Sequence, residues 1–313
     1  MVAEGITLGS IRFSMGEPVL IGELADANNG QAVDFLRDDG FAVYRRSAKP
    51  VARMGIAAVT TCLADSAVEP EAIDAVIFST ESFADVGETN PFTLRDRFLK
   101  ALASECGIAR TSVHASWLNE CANLPYALNL AAGLVASGSA RNVLVVVGDR
   151  LADDQPRVMA NGAAVMSDGA ACALVRRGSG GYALRHVVTQ FAPDVFAAEQ
   201  CGDVQRKTAA MMGALADFAS RIESVTGRRP ADYPLILTDN LHSMYLDFIG
   251  DGLGISAHQT RQPSKGDAAH LFALDSLLGL TALASSTGLP LAEPIALLNV
   301  IPWSYGFIVL EAL

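Results

Sequence analysis

Two kinds of apolar pattern alternate along this chain, and the alternation runs through twice. Short runs such as Ala75-Val76-Ile77-Phe78-Ser79-Thr80, Asn142–Asp149 and Leu235–Thr238 have the length and β-branched content of buried, parallel-type strands. Ile6–Phe13 alternates like an opening strand. Between these runs lie helix-period segments over Val51–Ala67, Leu94–Cys106, about Asp203–Thr226 and about His270–Ser286. Arg176-Arg177-Gly178-Ser179-Gly180-Gly181 is the clearest break in composition. After it the grammar resumes with a strand at Ala183–Thr189 and closes on the paired runs Ile295–Val300 and Phe307–Leu310. Strands alternating with helices dictate a layered α/β architecture. Two similar halves predict a duplicated fold, divided as 1–177 and 178–313.

Within the first half one cysteine stands in a reactive setting. The β-prone run Ser112–Leu118 leads through Asn119-Glu120 to Cys121, and an Ala/Leu-rich helical segment with Leu124, Leu128, Ala131 and Val135 follows. Strand, sharp turn and helix place the thiol at a helix N-terminus, beside unpaired N–H groups and the positive end of the dipole. Both features favour thiolate, the nucleophilic form. The plainer reading of Cys121 is a small buried hydrophobe.

Composition removes several classes of function. The chain has 313 residues, half of them hydrophobic, and a net charge of −11, which offers neither the basic face nor the phosphate neutralisation that nucleic acid or an anionic membrane needs. No apolar run of about eighteen residues is present, so no transmembrane helix is expected. The opening Met1-Val2-Ala3-Glu4-Gly5 lacks the basic start of a signal peptide. Five scattered cysteines without a CxxC support neither a disulfide framework nor a metal site, so a reducing cytoplasm is the expected location. An acidic carrier protein would need a local basic patch, for which Arg45-Arg46-Lys49, Arg176-Arg177 and Arg228-Arg229 are candidates.

The order of parts resembles the thiolase superfamily, and within it the β-ketoacyl-carrier-protein synthase III branch. The resemblance covers almost the whole chain. It is carried by Pro70–Thr80, by Cys121 with Ala122–Leu128, by Val143–Asp149, by the turn Ser167-Asp168-Gly169-Ala170-Ala171 and by Leu253-Gly254-Ile255. It implies two fused α/β halves in a five-layer α-β-α-β-α arrangement, a homodimer, and a cysteine that takes an acyl group from a thioester. No bound cofactor is implied; the acyl donor is an acyl-phosphopantetheine on a carrier protein, or acyl-coenzyme A.

Departures from the family pattern sharpen the expectation. Where the family carries Pro-His-Gln-Ala-Asn, this chain reads Thr238-Asp239-Asn240-Leu241-His242, so aspartate replaces the histidine. Where the family carries an asparagine in Gly-Asn-Thr-Ser-Ala-Ala-Ser, this chain reads Ala269-His270-Leu271-Phe272-Ala273-Leu274-Asp275. The resemblance therefore implies Cys121 as nucleophile, His270 as general base and acid, and Asp239 as the carboxylate that orients it. This set is similar to acyltransferases of natural-product pathways. The glycine-rich loop of the family corresponds to Val300–Gly306, where Pro302 has no N–H; the oxyanion donors would be the Cys121 and Ile301 N–H groups, with Val300 an alternative to Ile301. His242 is either structural or, in a shifted register, the base. Asp275 is either a carboxylate supporting the site or a surface residue of its helix. Glu120 caps the helix, raises the thiol pKa or contacts the acceptor.

Condensation needs two neutral donors on a developing enolate. An Asp239 carboxylate about 4 Å from that charge would cost roughly 4 kcal/mol at an effective dielectric of 20. Acyl transfer instead needs a base held by a carboxylate. The leading expectation is transfer from a carrier-protein thioester, through acyl-Cys121, to a hydroxyl, amine or thiol of a small-molecule acceptor. A condensing enzyme and a non-catalytic subunit of a heterodimer are the alternatives. Acids in Leu36-Arg37-Asp38-Asp39-Gly40-Phe41, where relatives using coenzyme A carry a basic residue, favour a carrier-protein donor.

Overall fold

The computed structural model describes residues 2–24, 30–82, 90–159, 162–286 and 293–313. The first half runs β1 (Ile6–Met15), β2 (Glu17–Leu20), α1 (Gly30–Asp38), β3 (Val43–Arg46), α2 (Val51–Ser66), β4 (Ala75–Ser79), α3 (Pro91–Ser104), β5 (Ser112–Ser116), α4 (Asn123–Ala136), β6 (Asn142–Asp149) and β7 (Gly169–Arg177). The second half runs β8 (Tyr182–Phe191), α5 (Pro193–Gln200), α6 (Val204–Thr226), β9 (Leu235–Thr238), α7 (Ser243–Leu253), β10 (Thr260–Arg261), α8 (Lys265–Ala268), α9 (Asp275–Ser286), β11 (Ile295–Ile301) and β12 (Ser304–Ala312). Part of the surface loop expected over Glu81–Pro91 lies outside the described residues.

Strand order exposes the duplication. The first half pairs as β1-β7-β6-β4-β5 and the second as β8-β12-β11-β9-β10, and β1 joins β8 through Thr7–Ala183 and Leu8–Tyr182. Strand senses match position by position. The pairs β1–β7, β7–β6, β8–β12 and β12–β11 are antiparallel, whereas β6–β4, β4–β5, β11–β9 and β9–β10 are parallel. Cys121 follows β5 and His270 follows β10, so the repeat itself sends the two residues to equivalent strand ends.

Period two in the buried strands builds the layers. Ile77, Val145 and Val147 face a central core shared with Leu124, Leu128 and Ala131 of α4 and Leu277 and Leu280 of α9. Leu237, Leu297 and Ile308 of the second sheet close the same core from the other side. The alternate residues Val76, Phe78, Leu144 and Val146 face α2 and α3. Ile236, Ala296 and Leu298 face α6 and α7 in turn. Helices outside, the two five-stranded halves of the continuous sheet and a helical layer between them are the expected five-layer arrangement.

α4 is pressed tightly onto the second sheet. A Cβ at Gly306 of β12 would lie 2.1 Å from Pro125 Cγ and 2.4 Å from Pro125 Cβ, so only glycine admits the helix that follows Cys121. A second local feature differs from expectation. The helix expected from His270 begins instead at Asp275, after the 3₁₀ turn Phe272–Leu274. His270 forms a parallel bridge with Met166, and the positive φ of Phe272, 56°, breaks any helix between the two residues.

Candidate active site

Cys121 sits in the 3₁₀ turn Glu120–Ala122, immediately before α4, and is 9% exposed. Glu120 before it has φ 45°, a conformation that side chains other than glycine's resist and that marks a constrained turn. Backbone bonds fix His270 as firmly. Its N–H donates to Val165 O at 2.9 Å and its carbonyl accepts from Ser167 N at 2.8 Å. The ring then spans two partners: Nε2 lies 3.3 Å from Cys121 Sγ, and Nδ1 lies 2.5 Å from Asp275 Oδ2. Asp275 Oδ2 also accepts from the Asn240 N–H at 2.7 Å, while Oδ1 accepts from the Leu271 N–H at 2.7 Å. An acceptor on Nδ1 keeps the proton there and turns the Nε2 lone pair towards the thiol.

The structure thus corrects the place given to Asp239. Its Oδ1 accepts from Asn299 Nδ2 at 2.6 Å and its Oδ2 from the Val300 N–H at 2.8 Å, so it ties β9 to β11, and the carboxylate on His270 is Asp275. Asp239 nevertheless stays within electrostatic reach of His270 and Cys121. Burial, with the Asp275 charge added, pushes it up to about 8. The like-charge repulsion expected from an Asp239 carboxylate is correspondingly reduced. Asp275 was legible only as the first acid after His270; the turn that brings residue 275 back onto residue 270 has no periodic signature.

The other singled-out residues also find places. His242 Nδ1 accepts from the Met244 N–H at 3.2 Å, capping α7, and the ring stacks on Phe35 at 3.8 Å. It is not on Cys121. The Ile301 side chain packs with Cys121, Met166 and Phe272, whereas the Val300 N–H is taken by Asp239. Asp39 is held by Lys265 and the Ser243 N–H, both at 2.9 Å, so this acid of the Leu36–Phe41 run is a structural pin.

Electrostatics overturn one expectation. A helix N-terminus favours thiolate, yet the Cys121 thiol is pushed well above 9.0 by burial and then by Glu81, Asp239, Glu120 and Asp149. The resting thiol is therefore neutral and depends on a base. Burial alone would lower His270, but the Asp275 charge and hydrogen bond, helped by Asp239 and Asp149, outweigh it and raise the imidazole above 6.5. Beside the site a cleft of about 490 Å³ is lined by Glu81, Glu120, Trp117, Arg150, Leu151 and Phe272, among others. Burial and the neighbouring Asp149 and Glu120 raise Glu81 to about 9, and burial raises Asp149 to about 7. Asp149 closes the valine run of β6, and its Oδ1 accepts from Thr80 Oγ1 and from Ser82 Oγ, each at 3.0 Å. An acid ending a buried strand at the carboxyl edge of a parallel sheet was the available signal for it. Among the described residues no group of His, Cys, Asp and Glu is placed to hold a metal ion.

Known proteins resemble this chain in sequence and in fold. The family model for 3-oxoacyl-[acyl-carrier-protein] synthase III matches residues 117–190, the stretch that contains Cys121. A β-ketoacyl-[acyl-carrier-protein] synthase III of Streptomyces lividans is 26% identical over 80% of this chain and 77% of its own. In sequence the chain is similar to ketoacyl synthases III. Solved structures share the fold of this chain end to end. ChlB3, an acyltransferase, superposes with a TM-score of 0.81 at 15% identity, covering 99% of this chain and 98% of its own. The priming β-ketosynthase of the R1128 polyketide pathway gives 0.73 at 20%, covering 98% and 96%. OleA of Xanthomonas campestris gives 0.78 at 13%, covering 99% and 98%. No helix among the described residues is long and apolar enough to cross a membrane.

Proposed function

We propose that this protein is a ping-pong acyltransferase of fatty-acid or polyketide type metabolism. It takes an acyl group from a carrier-protein thioester, with acyl-coenzyme A as the other candidate donor, and delivers it to a hydroxyl, amine or thiol. The observation that carries the proposal is the continuous relay from Cys121 Sγ through His270 to Asp275. His270 Nε2 removes the thiol proton, and the imidazolium is stabilised by Asp275. The thiolate adds to the thioester carbonyl, and His270 returns the proton to the departing pantetheine thiol. The acceptor then enters, loses its proton to the same nitrogen and attacks the acyl-Cys121 carbonyl; collapse of the intermediate breaks the acyl–Sγ bond, and the departing Cys121 thiolate takes the proton back from His270. Both tetrahedral intermediates need donors, assigned to the Cys121 and Ile301 N–H groups.

The upward shift of Asp239 favours a second reading. A protonated carboxyl does not repel a malonyl carboxylate, so decarboxylative condensation remains the competing chemistry. An assembled relay counts against a non-catalytic subunit. Among the described residues β5 lies at the sheet edge beside exposed Trp117 and Leu118, which supports pairing with a second copy of the chain. Product analysis separates the two chemistries: wild-type protein is given acyl- and malonyl-carrier thioesters with hydroxyl and amine acceptors. Ester, amide or thioester products without carbon dioxide support transfer; carbon dioxide with a lengthened β-keto product supports condensation.

A further inference from the structure

We propose that Asn240 is the positioning residue of this site, locking His270 and Asp275 into register; the proposal rests on the acyl-transfer reading above. Asn240 is fully buried two residues past the end of β9. Its N–H donates to the same Asp275 Oδ2 that faces His270 Nδ1, at 2.7 Å. Its side-chain Nδ2 donates to Asp275 Oδ1 at 3.2 Å, to Ser264 Oγ at 3.1 Å and to Ala269 O at 2.6 Å. One amide therefore grips both the carboxylate that supports the imidazole and the carbonyl of the residue immediately before it.

The second grip matters because Ala269 is strained. Its φ of 47° and ψ of −144° belong to a region that glycine occupies and an alanine Cβ opposes. The Ala269 carbonyl held by Asn240 keeps the loop in that conformation, and the conformation aims the ring that follows. Without the amide the loop relaxes, the 2.5 Å contact lengthens and His270 loses its support. An aspartate of the same shape would not serve, since it would set an acceptor against an acceptor beside Asp239 and Asp275.

Removal of the amide separates positioning from mere structure by the direction of a pH shift. The charged and titratable groups acting on His270 are Asp275, Asp239, Asp149 and the Cys121 thiol. Taking a donor from Asp275 with the pair unmoved would make the carboxylate a stronger partner and raise the acidic limb of the acylation rate. Moving the pair apart lowers it. The test is single-turnover acylation of Cys121 by an acyl-pantetheine thioester from pH 5 to 9. In Asn240→Ala the rate is expected to fall ~10–100-fold, with the limb displaced downward. In Asn240→Ala/Ala269→Gly, where residue 269 adopts its φ without strain, the rate is expected to return to within about threefold of Ala269→Gly alone. A limb that stays or moves up, or a double variant without recovery, overturns the role of Asn240. An absence of acyl-Cys121 in the wild type overturns the acyl-transfer reading instead.

Discussion

His270 Nδ1 meets Asp275 Oδ2 at 2.5 Å, across a turn of only five residues that also contains the positive φ of Phe272. The contact puts a buried carboxylate behind the imidazole and leaves Asp239 to a different task. Asp275→Asn is therefore expected to slow acylation by ~10²–10⁴-fold, because the amide neither fixes the tautomer nor stabilises imidazolium. Asp239→Asn is expected to cost less than about tenfold. Single-turnover thiol release measures both, and the reverse order of severity would return the orienting role to Asp239.

The acylation rate should climb with pH through a limb above 6.5, the ordinary value from which His270 is raised. Below that limb the imidazolium cannot accept the thiol proton, so activity appears as His270 deprotonates. In Asp275→Asn, burial acts with its main opposing charge removed and the limb drops towards or below 6.5. Rate profiles from pH 5 to 9 test the direction; a limb unmoved by the substitution would mean that Asp275 does not set the base.

Glu81 links the cleft to stability. Its carboxyl shifts from 4.5 to about 9 on folding, so the unfolded chain releases the proton first. The contribution is complete below 4.5 and is lost as pH rises towards 9. Glu81→Gln removes that dependence. Its stability relative to wild type should improve between pH 5 and 9 by on the order of 1 kcal/mol, about 2–4 °C in Tm. Thermal unfolding at pH 5, 7 and 9 checks this, and a constant difference across the range would contradict it.

Gly306→Ala would drive a methyl into Pro125. Overpacking at a buried contact costs about 1–3 kcal/mol, and here the displaced element is the helix that follows the nucleophile. Lower Tm together with slower acylation is expected. Loss of stability alone would show that α4 can shift without moving Cys121.

Much of the architecture was readable because period-two runs facing two helical layers leave an unbroken apolar signature; Asn142–Asp149 and Leu235–Thr238 became strands with those bounds. Cys121 was readable from the strand, turn and helix around it, and His270 from its place in the run Ala269–Asp275 where the family carries an asparagine. Asp275 was left open between a carboxylate supporting the site and a surface residue of its helix; it opens α9, and two positive φ values, at Ala269 and Phe272, redirect the chain before it where helical periodicity continues back to His270. Glu81 and Asp149 converge from different strands, 68 residues apart, through the Glu81 N–H donating to Asp149 Oδ1 at 2.7 Å, and no linear spacing encodes that meeting. The raised pKa of Cys121 follows first from burial and then from the surrounding carboxylates, not from its helix.

The most direct test of the central claim is intact-protein mass after incubation with a panel of acyl-carrier and acyl-coenzyme A thioesters, with wild type, Cys121→Ala and His270→Ala side by side. A mass gain equal to the acyl group is predicted in wild type, none in Cys121→Ala and a strongly slowed gain in His270→Ala, with any malonyl adduct keeping its carboxylate. An adduct that persists in Cys121→Ala, or no adduct from any donor, would contradict a transferase working through Cys121.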